Sequence, residues 1–116
     1  MKSLRRGKQQ ENRALSYLQK RGLILRESNF NCRHGEIDLI MQDNATLVFV
    51  EVRYRSNQRY GGAAASVDRK KIRKIIKTSL SYLQQKKLDV ACRFDVVAIG
   101  ADGEINWIKR AFETEY

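Results

Sequence analysis

Hydrophobic residues along this chain fall first at helical spacing, then at alternating spacing, then at helical and finally at alternating spacing again. Between Gly7 and Lys20, Ala14, Leu15 and Leu18 recur on one side of a helix, and Arg21-Gly22 ends it with a glycine able to take the left-handed cap. Leu23 to Phe30 predicts a first strand. Gly35–Ile40 and Val48–Arg53 predict two more, with Gln42-Asp43-Asn44-Ala45 as the hairpin turn between them. A loop from Tyr54 to Gly62 follows, and Ser66 or Asp68 caps a second helix reaching about Gln85. Its apolar stripe is Ile72, Ile75, Ile76, Leu80 and Leu83. Arg93–Ile99 and Glu104–Ile108 predict two last strands joined by the turn Gly100-Ala101-Asp102-Gly103. The expected order is αβββαββ, an α/β fold with a central mixed sheet flanked by helices.

Length sets the scale of that fold. The 116 residues suit a single domain over residues 1–116, with no repeat, linker or proline to divide it. No apolar run approaches the length of a membrane span, and the basic start of the chain leads into no apolar signal region, which predicts a cytoplasmic protein without membrane association. Cys32 and Cys92 lack metal-ligand spacing and read as reduced, partly buried thiols.

The formal net charge of +10 is segregated: residues 1–33 carry +7, 34–52 carry −4, 53–93 carry +10 and 94–116 carry −3. Two basic segments around an acidic strand pair suit a polyanion held by counterion release, with a divalent metal at the acidic focus. The plainer alternative is that the lysines and arginines only solubilise the surface.

On a strand, alternate residues share a face, so Glu36 and Asp38 oppose Ile37 and Leu39, and Glu51 and Arg53 oppose Val48, Val50 and Val52. With the turn at residues 42–45, Asp38 lies beside Phe49 and diagonal to Glu51. Acids on an otherwise apolar sheet are costly unless something pairs them, and a hard cation would. Glu11 precedes Ala14 and Leu15 by one helical turn and should face the same sheet; the alternative is an ion pair at the helix edge. Mg²⁺ or Mn²⁺ takes oxygen ligands and keeps several waters, so Asp38, Glu51 and the Val52 backbone carbonyl suffice. Such a site suits phosphodiester hydrolysis by a metal-activated water, with a cation at position 53 either orienting that water or neutralising charge on the phosphorane. Composition and spacing make this one option among several.

An acid, then acid-x-cation on a hairpin, after a helical glutamate, resembles the PD-(D/E)xK nuclease core of restriction enzymes and archaeal Holliday-junction resolvases. More closely, nearly the whole chain resembles the YraN-like family of bacterial proteins. The matching stretches are Gly7…Glu11…Ala14…Tyr17-Leu18, Gly35–Ile40, Leu47–Val52, Val67…Lys71, Tyr82-Leu83, Arg93–Val97 and Ala111-Phe112. The resemblance implies a restriction-endonuclease-like fold, Glu11, Asp38 and Glu51 as metal-site acids, and position 53 as the catalytic cation. The expected partner is nucleic acid, with DNA ahead of RNA; resolvase-like relatives work as two-fold pairs, which leaves monomer and homodimer both open for this chain.

Position 53 departs from the pattern, since the family and the wider fold usually have lysine there. Arginine can stabilise a phosphorane bidentately but cannot give up a proton. Two readings therefore stand: a metal-dependent nuclease for branched or flapped nucleic acid, and a non-catalytic nucleic-acid-binding module of the same fold. A ribosome- or protein-bound adaptor would rest on basic charge alone. The nucleic-acid contacts expected are Arg55, Arg59, Arg69, Lys70, Lys71, Arg73 and Lys74, and the cations and tyrosines of residues 53–60 also suit phosphate clamping and stacking. Lys71 either supplies a substitute ammonium or is one more solvated lysine. Glu36 is an outer partner of the metal site or a solvated strand end, Asp95 a fourth acid or the partner of Arg93, and His34 a turn residue or a phosphate contact. Ser66 and Thr78 lack a histidine partner in pattern, and Gly61-Gly62 lacks the ending of a phosphate loop.

Overall fold

A computed structural model of the chain describes residues 2–55 and 67–114, apart from the side chains of residues 2–6 and 55. The order is α1 (Lys2–Lys20), β1 (Ile24–Cys32), β2 (Gly35–Asp43), β3 (Thr46–Arg55), α2 (Arg69–Lys86), β4 (Cys92–Gly100) and β5 (Ile105–Phe112). This is the expected αβββαββ order, in one five-stranded sheet arranged β1-β2-β3-β4-β5. The β3–β4 pair is parallel and the others antiparallel, so the sheet is mixed. A parallel neighbour requires a crossover, and α2 lies within it.

Helix α1 starts at Lys2, five residues before the expected start at Gly7. It stops where expected: Gly22 has φ +95°, and Leu23 N–H donates to the Leu18 carbonyl at 3.1 Å. Asp68 caps α2, its carboxylate accepting from Lys71 N–H at 2.8 Å. The alternative cap, Ser66, lies outside the described residues, as do residues 56–62 of the expected loop. Tyr54 falls within strand β3, since the strand continues in register with β4 to Arg55 opposite Gly100.

Two apolar layers cover the sheet. On one side Phe30, Ile37, Ile40, Leu47, Phe49, Phe94 and Val96 meet Ile75, Ile76 and Tyr82 of α2. On the other, Leu39, Met41, Val48, Val50, Val97 and Ile99 meet Ala14 and Leu18 of α1. Leu18 is fully buried, which contributes roughly 1.5–3 kcal/mol. The α2 stripe differs from expectation at Leu80, which is 42 % exposed. Thr78, Ser79 and Tyr82 take the sheet-facing positions. Both hydroxyls can be buried because each donates to a helix carbonyl, Thr78 to Lys74 at 2.7 Å and Ser79 to Ile76 at 2.6 Å. No helix among the described residues is long and apolar enough to cross a membrane.

The β2–β3 hairpin also corrects an expectation. Its turn is Asn44-Ala45, with Asn44 at φ +55°, rather than one centred on Asp43-Asn44. A turn displaced by one residue moves the register by two, so Ile40, not Asp38, stands opposite Phe49. The ladder runs to Leu39 opposite Val50. Continued one step, it would set Asp38 across from Glu51.

Candidate functional site

The ordered ladder gives way at Asp38. Instead of another step of main-chain pairing, the Asp38 side chain enters: its Oδ2 accepts from Val52 N–H at 2.8 Å. Strict alternation along β2 is broken at the same point, since Ile37 packs with the α2-side layer while Leu39 packs with the α1-side layer. Across from Asp38 on β1 is Asn29, flanked by the pairs Ser28–Leu39 and Phe30–Ile37 and held at φ +52°. Asparagine tolerates that conformation better than most residues.

This interruption lets acids from both faces of the sheet converge. Glu51 and Arg53 continue the face of Leu47 and Phe49, towards α2, while Glu11 arrives from α1 on the other side. A cavity of about 330 Å³ is lined by Gly7, Gln10, Glu11, Asp38, Glu51, Val52 and Tyr54. The three acids singled out in the sequence therefore meet, together with the residue whose carbonyl was expected at the metal.

The electrostatics are those of crowded, partly dehydrated carboxylates. Burial, then the charge of Glu51, raises the pKa of Asp38 to about 7, with smaller contributions from Glu11 and Glu36 opposing the lowering by Val52 N–H. Glu51 is 6 % exposed, and burial also raises its pKa, against the opposing effects of Lys71 and Arg53. Both cations approach the same oxygen: Arg53 Nη2 and Lys71 Nζ each lie 3.6 Å from Glu51 Oε1. Arg53 Nε is buried with no hydrogen-bond partner among the described residues. Lys71 is thus more than a solvated lysine. Its backbone is pinned by the Asp68 cap, and its ammonium reaches the acids.

Among the described residues, no lysine or arginine pairs with Glu11. Its Oε1 accepts from Asn29 Nδ2 at 2.7 Å, and the same nitrogen donates to Glu36 Oε1 at 3.1 Å. Asn29 had gone unnoticed in the sequence. Asparagines are depleted from strands, and Asn29-Phe30-Asn31 inside β1 was the available signal. Glu36 is an outer member of the cluster, exposed yet tied to it through Asn29.

Among the described residues, no set of three or more His, Cys, Asp and Glu side chains is arranged as a ready metal cage. The donors fit a different pattern: two carboxylates with water completing the shell, as Mg²⁺ commonly takes. Asp38 Oδ2 is engaged by Val52 N–H and Glu11 Oε1 by Asn29, so Asp38 could offer a cation its other oxygen, alongside the Glu51 carboxylate.

Other candidates separate from this site. Asp95, fully buried, accepts from Arg93 Nε and Nη2, each at 2.9 Å, from Trp107 Nε1 at 2.9 Å and from Arg110 N–H at 3.1 Å, so it is the arginine partner and not a fourth site acid. Arg93 also reaches Asp43 Oδ2 at 3.0 Å, locking β4 to the hairpin end. His34 sits in the Arg33-His34 turn, its N–H donating to Cys32 Sγ at 3.4 Å. Both cysteines are free and half-buried. Arg69, Lys70, Arg73 and Lys74 are exposed along α2. Arg59 and the Arg55 side chain lie outside the described residues.

Residues 10–99 match the model of the uncharacterised protein family UPF0102. A UPF0102 protein of Herminiimonas arsenicoxydans is 55 % identical over 108 residues, covering 93 % of this chain and 86 % of its own. Its counterpart in Methylococcus capsulatus is 52 % identical over 112 residues, covering 94 % and 91 %, and one from Coxiella burnetii is 50 % identical over 108 residues, covering 91 % and 90 %.

Proposed function

The chain belongs to the UPF0102 family, and we propose that it is a metal-dependent phosphodiesterase of the restriction-endonuclease-like kind, acting in the cytoplasm on branched or flapped nucleic acid, DNA in preference to RNA. One observation carries this reading: Glu11, Asp38 and Glu51 line a single cavity at the point where the β2–β3 ladder stops, with two cations at its edge. A protein that merely held phosphate would gain nothing from carboxylates there. The pKa values of Asp38 and Glu51 are raised chiefly by burial, and buried, perturbed acids lining one cavity support a functional site.

Asp38 and Glu51 would hold Mg²⁺ or Mn²⁺, with the Val52 carbonyl as the backbone donor. When bound, the cation supplies Lewis acidity at the scissile phosphate and lowers the pKa of water. The chain's own residues do the rest. Val52 N–H fixes the Asp38 carboxyl, and Asn29 sets the Glu11 carboxylate behind it. Arg53 offers a charge-assisted contact to the non-bridging phosphate oxygens. Lys71 adds a second cation at the site, a point-like ammonium beside the planar guanidinium of Arg53. Its 3.6 Å separation from Glu51 sets it beside the same carboxylate as the position-53 cation.

The test is cleavage of forks, flaps and four-way junctions with and without Mg²⁺ or Mn²⁺. Wild type should cut only with metal, while Asp38→Asn and Glu51→Gln should lose cutting and keep binding. Inertness of the wild type on every substrate would overturn the enzymatic reading. The second reading, a binding module of the same fold, is favoured by one observation, that Arg53 and Lys71 each lie 3.6 Å from Glu51 and can themselves balance its charge.

A further inference from the structure

The cations of α2 look uniform in sequence, yet the helix turns them to two different flanks. At 3.6 residues per turn, Lys71 and Lys74 fall on one side and Arg69, Arg73 and Lys77 on the other. The contacts agree with this sorting. Lys71 reaches Glu51, and Lys74 Cβ lies 3.6 Å from where a Gly35 Cβ would stand, so that flank borders β2 and the acidic cavity. The opposite flank borders the carboxyl-terminal end of β5. There Arg69, Arg73 and Lys77 rim a groove of about 450 Å³ floored by Ile72, Ile76 and Phe112. All three cations are exposed, and among the described residues Glu113 is the one acid lining the groove.

We propose that this groove binds an unpaired nucleic-acid strand, the single-stranded arm of a branched or flapped substrate. The inference rests on the nucleic-acid reading above and adds to it a second site on the far side of α2 from the acids. Charge complementarity names the occupant. The rim carries a net positive charge for a polyanion, while the floor is apolar and holds an aromatic ring, as suits exposed bases. Arg69, Arg73 and Lys77 repeat every fourth residue, so their Cα atoms step by about 6 Å along the helix. That is comparable to the step between successive phosphates of one strand. A duplex hides its bases inside a pair of backbones and would leave the apolar floor unused. Helix α2 is then a ridge, with the scissile region towards Lys71 and the unpaired arm towards Phe112.

The experiment measures anisotropy of two labelled probes over a range of salt, an oligothymidylate of about 15 nucleotides and a blunt duplex. Two variants each remove two positive charges, Arg73→Ala/Lys77→Ala on the groove flank and Lys70→Ala/Lys74→Ala elsewhere on the helix. The groove pair should weaken oligothymidylate binding at least tenfold and reduce its salt slope by about 1.4, two contacts at about 0.7 each. It should change duplex binding less than threefold. The other pair should do the reverse. Phe112→Leu, which keeps apolar volume beside Phe94, should weaken the oligothymidylate alone. Equal losses from both pairs on both probes would mean that only net charge matters and would overturn the groove. Duplex binding without oligothymidylate binding would overturn the groove and leave the proposed function standing. Binding of neither probe would overturn both.

Discussion

Replacing Asp38 by Asn should make the metal-free protein more stable above neutral pH. The Asp38 pKa rises from 3.8 to about 7, chiefly through burial and then through the Glu51 charge. A rise of that size corresponds to at most about 4 kcal/mol. Solvent screening at a carboxyl that is not fully buried lowers the expectation to about 2 kcal/mol. The folded state holds this proton more tightly than the unfolded chain. Wild-type stability therefore falls as pH rises from about 3.8 through about 7, and the loss is complete above that range. Asparagine keeps an oxygen acceptor for Val52 N–H but has no charge to desolvate, so its stability should lack this fall. Urea unfolding in chelator, at several pH values, reads the difference: about 2 kcal/mol in favour of Asp38→Asn above neutrality, shrinking towards pH 4. Mg²⁺ at a hundred times its Kd should then stabilise wild type by about 2.7 kcal/mol and leave the variant unmoved. A variant less stable than wild type above neutrality, or a gap independent of pH, would refute the reasoning.

Arg53 and Lys71 should behave as a linked pair. Lys71→Ala should slow cleavage by about 10²-fold, as loss of a positioned charge at the developing anion does, whereas Arg53→Lys should preserve or raise the rate and blunt the effect of Lys71→Ala. Single-turnover rates across pH check this, and additive effects would separate the two cations. At the other end of the sheet, Asp95→Ala should destabilise by about 3–5 kcal/mol in thermal or urea unfolding, because Arg93 would keep only Asp43 among the described acids and Trp107 Nε1 and Arg110 N–H would lose their acceptor. Its effect on metal affinity should be small, and a large one would place Asp95 in the site.

Much of this architecture was legible because burial follows periodicity. The two-sided burial of β3 and β4 and the α1 stripe at Ala14 and Leu18 follow directly from runs such as Leu47–Val50 and Val96–Ile99. The acids were legible for the converse reason, since Asp38 and Glu51 interrupt apolar strands. What escaped was decided by single backbone conformations. Asn44 in the left-handed region shifts the hairpin register by two residues, and Asn29 in the same region turns a strand asparagine into the partner of Glu11. Alternation cannot report either event, because it assumes an uninterrupted pleat. The reach of Lys71 was equally hidden. It depends on which flank of α2 faces the gap beside Glu51, and that follows from the crossover rather than from local sequence.

A crystal soaked in Mn²⁺ tests the central claim most directly, because the anomalous signal of the metal locates it independently of any activity. The account predicts a peak within the cavity, about 2.0–2.2 Å from a carboxylate oxygen of both Asp38 and Glu51, with waters filling the remaining positions and no peak in Asp38→Asn crystals. An empty cavity at saturating Mn²⁺, with Glu51 still paired to Arg53 and Lys71, would contradict it.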